Sequence, residues 1–279
     1  MERLALMVGL AVAASLAPAD AADPGTAKGD LVIEGQATPL MHAYAFERDN
    51  AEGMMDGAEL RILLTDVEVP DAARQLARLV PSFGPLGQQA SEGKLKGVLI
   101  KVDPAKAKDA AYITVLIQGP PGQSFMTITR SPAPFERFEI ANGRISGGGE
   151  IGPFKGSFDA PLIKMAPVKE HLKGKAAAES APAKAFLATE QAMRKGDLAA
   201  AQKGMTAAKW HGVEAFVQQV GAAEFAKQAT QFFLDTATRT GQIKDAVLRA
   251  DSAFLVVDEG NGKLGVPLVL EAGQWMLDE

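Results

Sequence analysis

The residues best suited to chemistry sit among aromatic clusters in the C-terminal half. His211 follows Trp210, and Asp235 follows Phe232 and Phe233 by a few positions. An imidazole titrates near neutral pH, and a carboxylate beside it can orient the ring or share its proton. Brought into one pocket, His211 and Asp235 would make a general acid–base pair. Trp210, Phe232, Phe233 and Trp275 would supply apolar walls that exclude water and hold a ligand's carbon skeleton. The plainer reading is that the aromatics fill a core while His211 sits on a loop. No further catalytic signature joins the pair, so the plainer reading is preferred and no catalytic residue is assigned.

Other motifs fail on context. Gly147-Gly148-Gly149-Glu150-Ile151-Gly152 matches G-x-G-x-x-G. A dinucleotide fingerprint must follow a strand and open a helix, and here Pro153-Phe154 lead into another strand-like stretch. A glycine-rich bend in a sheet is expected instead. Ser91-Glu92-Gly93-Lys94 matches S-x-x-K, but the companion S-D-N and K-T-G motifs are absent from the sequence. His42 shares a strand face with Tyr44 and reads as a polar core or rim residue; His171 falls in a lysine-rich segment and reads as solvated. No histidine spacing suits a metal, and no cofactor is expected.

These residues must be positioned by surrounding elements, and the pattern of those elements changes along the chain. Residues 29–163 read as nearly all β. Leu40, His42, Tyr44 and Phe46 alternate onto one face, and Asn142-Gly143 between alternating apolar residues predicts a type I′ hairpin. One helix interrupts, capped by Asp71, with Leu76, Leu79 and Val80 as its stripe before Pro81. A β-sandwich or partly open barrel is expected. Residues 164–182 carry lysine, alanine and proline without apolar periodicity, which predicts a solvated linker. Residues 183–279 switch to helical spacing and return to strands from Ile243. Phe186, Glu190 and Met193 share one helix face, and Val213, Phe216, Val217 and Val220 another. Trp275 and Leu277, two apart on the last strand, should face the helices. Helices followed by an antiparallel sheet predict an α+β domain.

The N-terminus has the pattern of an export signal. Met1-Glu2-Arg3 precedes an apolar run over residues 4–16, followed by Ala19-Asp20-Ala21 as an A-x-A step. The run is shorter than the ~20 residues that span a bilayer, so residues 1–21 read as a cleaved signal peptide. The absence of cysteine excludes disulfides, thiolate chemistry and cysteine-ligated metals. A net charge of −5 without a basic block gives no reason to expect nucleic acid as a partner. No other run approaches membrane-spanning length.

Two resemblances add to this reading. His42-Ala43-Tyr44-Ala45, Leu64-Thr65-Asp66 and Phe158-Asp159-Ala160-Pro161 resemble motifs of an uncharacterised β-rich domain of bacterial secreted proteins. That resemblance carries no activity. Lys195-Gly196-Asp197-Leu198 and Gly273-Gln274-Trp275 are similar to segments of the nuclear transport factor 2-like (cystatin-like) cone fold. It implies an α+β cone with a concave sheet, and no particular chemistry. The expectation is a periplasmic or secreted bacterial protein that binds a small ligand or an envelope protein without catalysis. The alternatives are an isomerase- or hydrolase-like enzyme with its site in the cone, and a structural envelope protein.

Overall fold

The computed structural model describes residues 25–278 apart from 79, 107–109, 120–124 and 133–134. The expected signal peptide therefore lies outside the described residues. The protein is mostly β, with a large curled sheet, a smaller second sheet and eight helices among the described residues.

The large sheet is built from β1 (Gly25–Ile33), β2 (Gln36–Arg48), β3 (Glu59–Thr65), β4 (Gly97–Val102), β5 (Ala110–Leu116), β6 (Phe125–Pro132), β7 (Arg137–Ala141), β8 (Arg144–Ile151) and β9 (Phe154–Lys164). Their order is β6-β5-β4-β3-β2-β1-β9-β8-β7. Neighbours run antiparallel except where β9 passes the start of β1 and pairs with β2 in parallel, Ala45 opposite Leu162. The β7–β8 turn is the hairpin expected at Asn142-Gly143, whose φ values are 51° and 69°. Both central residues of a type I′ turn need positive φ, which explains the residue pair.

Curling brings distant strands together. An added Cβ on Gly152, in the β8–β9 turn, would lie 2.9 Å from Ile113 Cδ1 on β5, although several strands separate them in the sheet order. The inside of the curl is a filled core that includes Leu31, Leu40, Ile62, Ile100, Ile113, Ile145 and Phe154. The glycines of the G-x-G-x-x-G match serve this packing. A Cβ on Gly147 would strike the Phe158 ring at 2.6 Å, and β9 follows where a nucleotide site would need a helix.

The outer face over β3 and β4 is covered by α1 (Ala72–Ala77), a 3₁₀ turn (Pro81–Phe83) and α2 (Pro85–Ser91). The sequence had suggested one helix capped by Asp71. Asp71 instead takes the left-handed conformation at φ 51° and makes no side-chain cap. The extended Arg78 ends α1, and Pro81 and Pro85 each open a new short helical piece. Val80 is exposed and Leu76 is buried beneath α1. Two buried arginines stabilise the end of α1. Arg48 Nε donates to the Ala77 carbonyl at 3.0 Å, and Arg61 Nη1 to the Leu76 carbonyl at 2.5 Å. Cations at a helix C-terminus satisfy its free carbonyls and complement its dipole. Arg48 also pairs with Glu52, and Arg61 with Glu59 at 2.6 Å. Burial lowers the Arg61 pKa, partly offset by Glu59.

The second region comprises β10 (Glu170–Lys173), α3 (Lys175–Ala178), α4 (Ala181–Lys195), α5 (Leu198–Lys203), α6 (Ala207–Val220), α7 (Ala222–Phe232), α8 (Thr236–Gln242), β11 (Ile243–Leu248), β12 (Ser252–Asp258), β13 (Lys263–Glu271) and β14 (Gln274–Leu277). Its antiparallel sheet runs β10-β11-β12-β13-β14. Part of the segment read as a solvated linker is therefore ordered. Glu170 lies opposite Leu248 and Lys173 opposite Asp245. Backbone hydrogen bonds hold this edge strand, and they need no apolar side chains, so composition alone missed it. The alanine run also folds: Ala177 and Ala178 of α3 are buried in the second core.

The back of the second sheet meets the first region. Val247, Phe254 and Val256 pack on Ala51 and Met54 of the β2–β3 loop, and the Arg48 guanidinium lies 5.9 Å from the Phe254 ring centroid. Arg249 pairs with Asp49 at 2.5 Å. At the chain's end, buried Asp278 accepts a hydrogen bond from Thr206 Oγ1 at 2.9 Å and lies 3.3 Å from Arg78 and 3.4 Å from Arg74.

Candidate functional site

Four side-chain caps set the helices of the second region. Ser180, Asp197, Thr206 and Asp235 accept from the backbone N–H groups of Ala183, Ala200, Lys209 and Thr238, starting α4, α5, α6 and α8. Gly196 ends α4 in the left-handed conformation at φ 71°, and Gly221, at φ 87°, breaks α6 from α7. These stops fold α6 and α7 into a helical pair beside α4.

The α4 stripe packs on the second sheet. Phe186, Leu187 and Met193 are buried with Leu255, Val257, Val266 and Leu268. The space between helices and sheet, where the cone reading would place a pocket, is occupied by these side chains. Glu190 on the same stripe pairs with Arg239 of α8 at 2.8 Å, and both are nearly enclosed. Burial raises the Glu190 pKa, opposed by the Arg239 charge. Arg239 also reaches Glu259 at 3.1 Å and lies 6.0 Å from the Phe186 ring centroid. This ion pair pins α8 to α4 and faces no open space, so it is structural. Glu190 between Phe186 and Met193 was the visible signal for it.

α6 differs from α4. None of its residues is buried, and Phe216 is 43% exposed. Trp210, Val213, Val217 and Val220 lie half-buried against the core, while the adjoining side of the helix borders an open groove of about 320 Å³. Lys209, Gly212, Val213 and Phe216 form the α6 wall. Phe225, Gln228 and Ala229 of α7 form the opposite wall, with Met193 and Phe233 completing the lining. Phe216 and Phe225 meet edge to face, with ring centroids 6.2 Å apart. The volume and apolar lining suit a small ligand.

The residues singled out from sequence are dispersed. Phe233 lines the groove, and the Phe232 side chain lies outside the described residues. Trp210 and Trp275 are half-buried against the second core, Trp275 less enclosed than Leu277. His211 is exposed on another side of α6, with Nε2 3.1 Å from Gln88 Nε2 of α2. Asp235 is exposed, and its carboxylate is engaged by Thr238 at 3.0 and 2.7 Å. Those hydrogen bonds lower its pKa. His211 and Asp235 thus have separate partners, and neither borders the groove. His42 is half-buried opposite Thr65, and His171 on β10 approaches Asp245 at 3.3 Å. Ser91 ends α2, donating to the Gln88 carbonyl, while exposed Lys94 pairs with Glu92 at 2.6 Å. Among the described residues no group of three or more His, Asp or Glu is placed to hold a metal ion, and no helix is long and apolar enough to cross a membrane.

Val213 and Phe216 were legible as part of a helical stripe. Their arrangement around open space was not, because periodicity marks an apolar face without saying what covers it. The fold and groove together define a mostly β protein with a curled sheet and an apolar groove between helices. No family model matches the chain, and neither a curated protein nor a solved structure matches it.

Proposed function

We propose that this is an exported bacterial binding protein, periplasmic or secreted, that holds a small apolar or amphipathic ligand in the α4–α6–α7 groove without catalysis. Two domains fit this reading: a β-rich domain over residues 29–163, similar to a domain of bacterial secreted proteins, and a nuclear transport factor 2-like cone over residues 183–279, with the segment between them contributing β10. The observation that carries the proposal is the groove of about 320 Å³, walled by Val213, Phe216, Phe225, Ala229 and Phe233. It stays open while the space between helices and sheet is filled. The separate partners of His211 and Asp235 count against the enzyme reading in its acid–base form.

The neutral fluorophore N-phenyl-1-naphthylamine tests the site. The purified protein should bind it saturably with enhanced emission, and Phe216→Asp should abolish binding with little change in thermal unfolding, because Phe216 is 43% exposed. Binding that is absent, or that survives Phe216→Asp, would remove the groove as the ligand site.

A further inference from the structure

We infer that the groove's ligand is a single-chain amphipathic monoanion, an alkyl carboxylate whose head is held by Lys209 while its chain lies among Val213, Phe216, Phe225 and Phe233. This rests on the reading of the groove as a ligand site and adds the chemistry of what fills it.

Charge complementarity supplies the head. Among the described residues, Lys209 is the only charged side chain in the lining, and no carboxylate borders the groove. Some lysines elsewhere are paired, among them Lys94 with Glu92 and Lys164 with Glu47, and others stand on open surface, so what distinguishes Lys209 is its place in the groove lining. Lys209 has no ion-pair partner among the described residues. Glu224 of α7, which does not line the groove, is engaged along its own helix by Lys227 at 3.7 Å and by Gln228 at 3.0 Å. Gln228 uses one amide hydrogen on Glu224 and keeps a second to donate toward the groove.

Size and charge count set the class. At the ~30 Å³ that one water occupies in the liquid, the groove's 320 Å³ encloses roughly ten heavy atoms, so a carboxylate of about eight carbons fits wholly, while a longer chain or the fluorophore extends over the open side. One cation and one amide donor match a single negative charge with two acceptor oxygens. A dianionic phosphate head would keep one charge unneutralised beside carbon walls.

Displacement of bound N-phenyl-1-naphthylamine by decanoate, 1-decanol and decyl phosphate tests the inference. Decanoate should compete about fivefold more strongly than 1-decanol, the span expected of a partly exposed ion pair. That advantage should vanish in Lys209→Met, with each competition scaled to the variant's own affinity for the fluorophore. Lys209→Gln provides a second variant should Lys209→Met fold poorly. Equal competition by decanoate and 1-decanol, or an advantage that survives both substitutions, would overturn the charged-head assignment while leaving the apolar site intact. Stronger competition by decyl phosphate than by decanoate would overturn the monoanion. Displacement by none of the amphiphiles would overturn the whole inference and leave the groove to a protein segment. Loss of fluorophore binding in the parent protein would instead remove the underlying groove.

Discussion

The interior of the curled sheet and the face between α6 and α7 are lined by similar residues and end in opposite states. Ile62, Ile100, Ile113 and Phe154 in the curl are fully enclosed, whereas α6 buries no residue and leaves Phe216 43% exposed. The curl covers itself, because strands from both ends of the sheet order close over one core. The α6–α7 pair has α4 and the core on one side; among the described residues α2 reaches α6 through Gln88 at His211, and the groove side is left open. Apolar residues of equal character are thus a core in one place and an open wall in the other. The difference lies in how many sides are covered.

Substitutions should expose that contrast most sharply in the aromatics. Phe154→Ala should destabilise the protein by roughly 3–5 kcal/mol, the usual cost of truncating a buried phenylalanine. Phe216→Ala should cost under ~1 kcal/mol, because little of its contact is lost. Denaturant unfolding of both variants is the check, and equal costs would erase the distinction.

The next largest effect concerns the pin beneath the groove. Arg239→Gln would leave Glu190 buried without its cation and should cost about 3 kcal/mol. The same pair sets a pH dependence. Burial raises the Glu190 pKa in the folded protein above the ordinary 4.5. The unfolded chain therefore ionises first as pH rises, and the stability that Glu190 adds is fully present below 4.5. It is lost as pH climbs through the folded pKa. Stability measured against pH should lose that slope in Glu190→Gln; an unchanged slope would show that Glu190 is solvated.

A smaller effect is expected at the seam between the regions. Asp278→Asn removes the carboxylate facing Arg74 and Arg78 and weakens the acceptor for Thr206, the cap of α6. A loss of about 2 kcal/mol is expected, with faster amide exchange in the first turn of α6 and in α1. Exchange that quickens throughout the chain would argue that Asp278 supports the whole fold and not this seam. Least of all should be His211→Ala, under ~0.5 kcal/mol, because its ring is exposed and touches only Gln88 of α2. Loss of fluorophore binding in that variant would restore His211 to the site.

The sequence carried the local features well. Asn142-Gly143 specified its hairpin through the positive φ both residues take. Phe186 and Met193 on one helical stripe indicated the face of α4 that meets the sheet. Features that depend on a neighbour's backbone were hidden. Glu170–Lys173 looked like a solvated segment because the strand is held mainly by backbone pairing with β11, with Leu172 its single apolar contact to the core. The two short helical pieces opened by Pro81 and Pro85 lie beyond the Pro81 stop, where the sequence showed no helical stripe. The groove was half visible: Val213 and Phe216 stood out as apolar, but the open space between them and Phe225 comes from Gly221 turning α7 back beside α6.

Hydrogen exchange tests the central contrast most directly. In the free protein, amides of α6 (Ala207–Val220) should exchange through local opening far faster than those of β3 (Glu59–Thr65), which lie in the covered core. Saturating N-phenyl-1-naphthylamine should slow α6 and α7 selectively and leave β3 unchanged. Free α6 amides as protected as those of β3, or no slowing with the fluorophore bound, would contradict the account of α6 as the wall of an open ligand site.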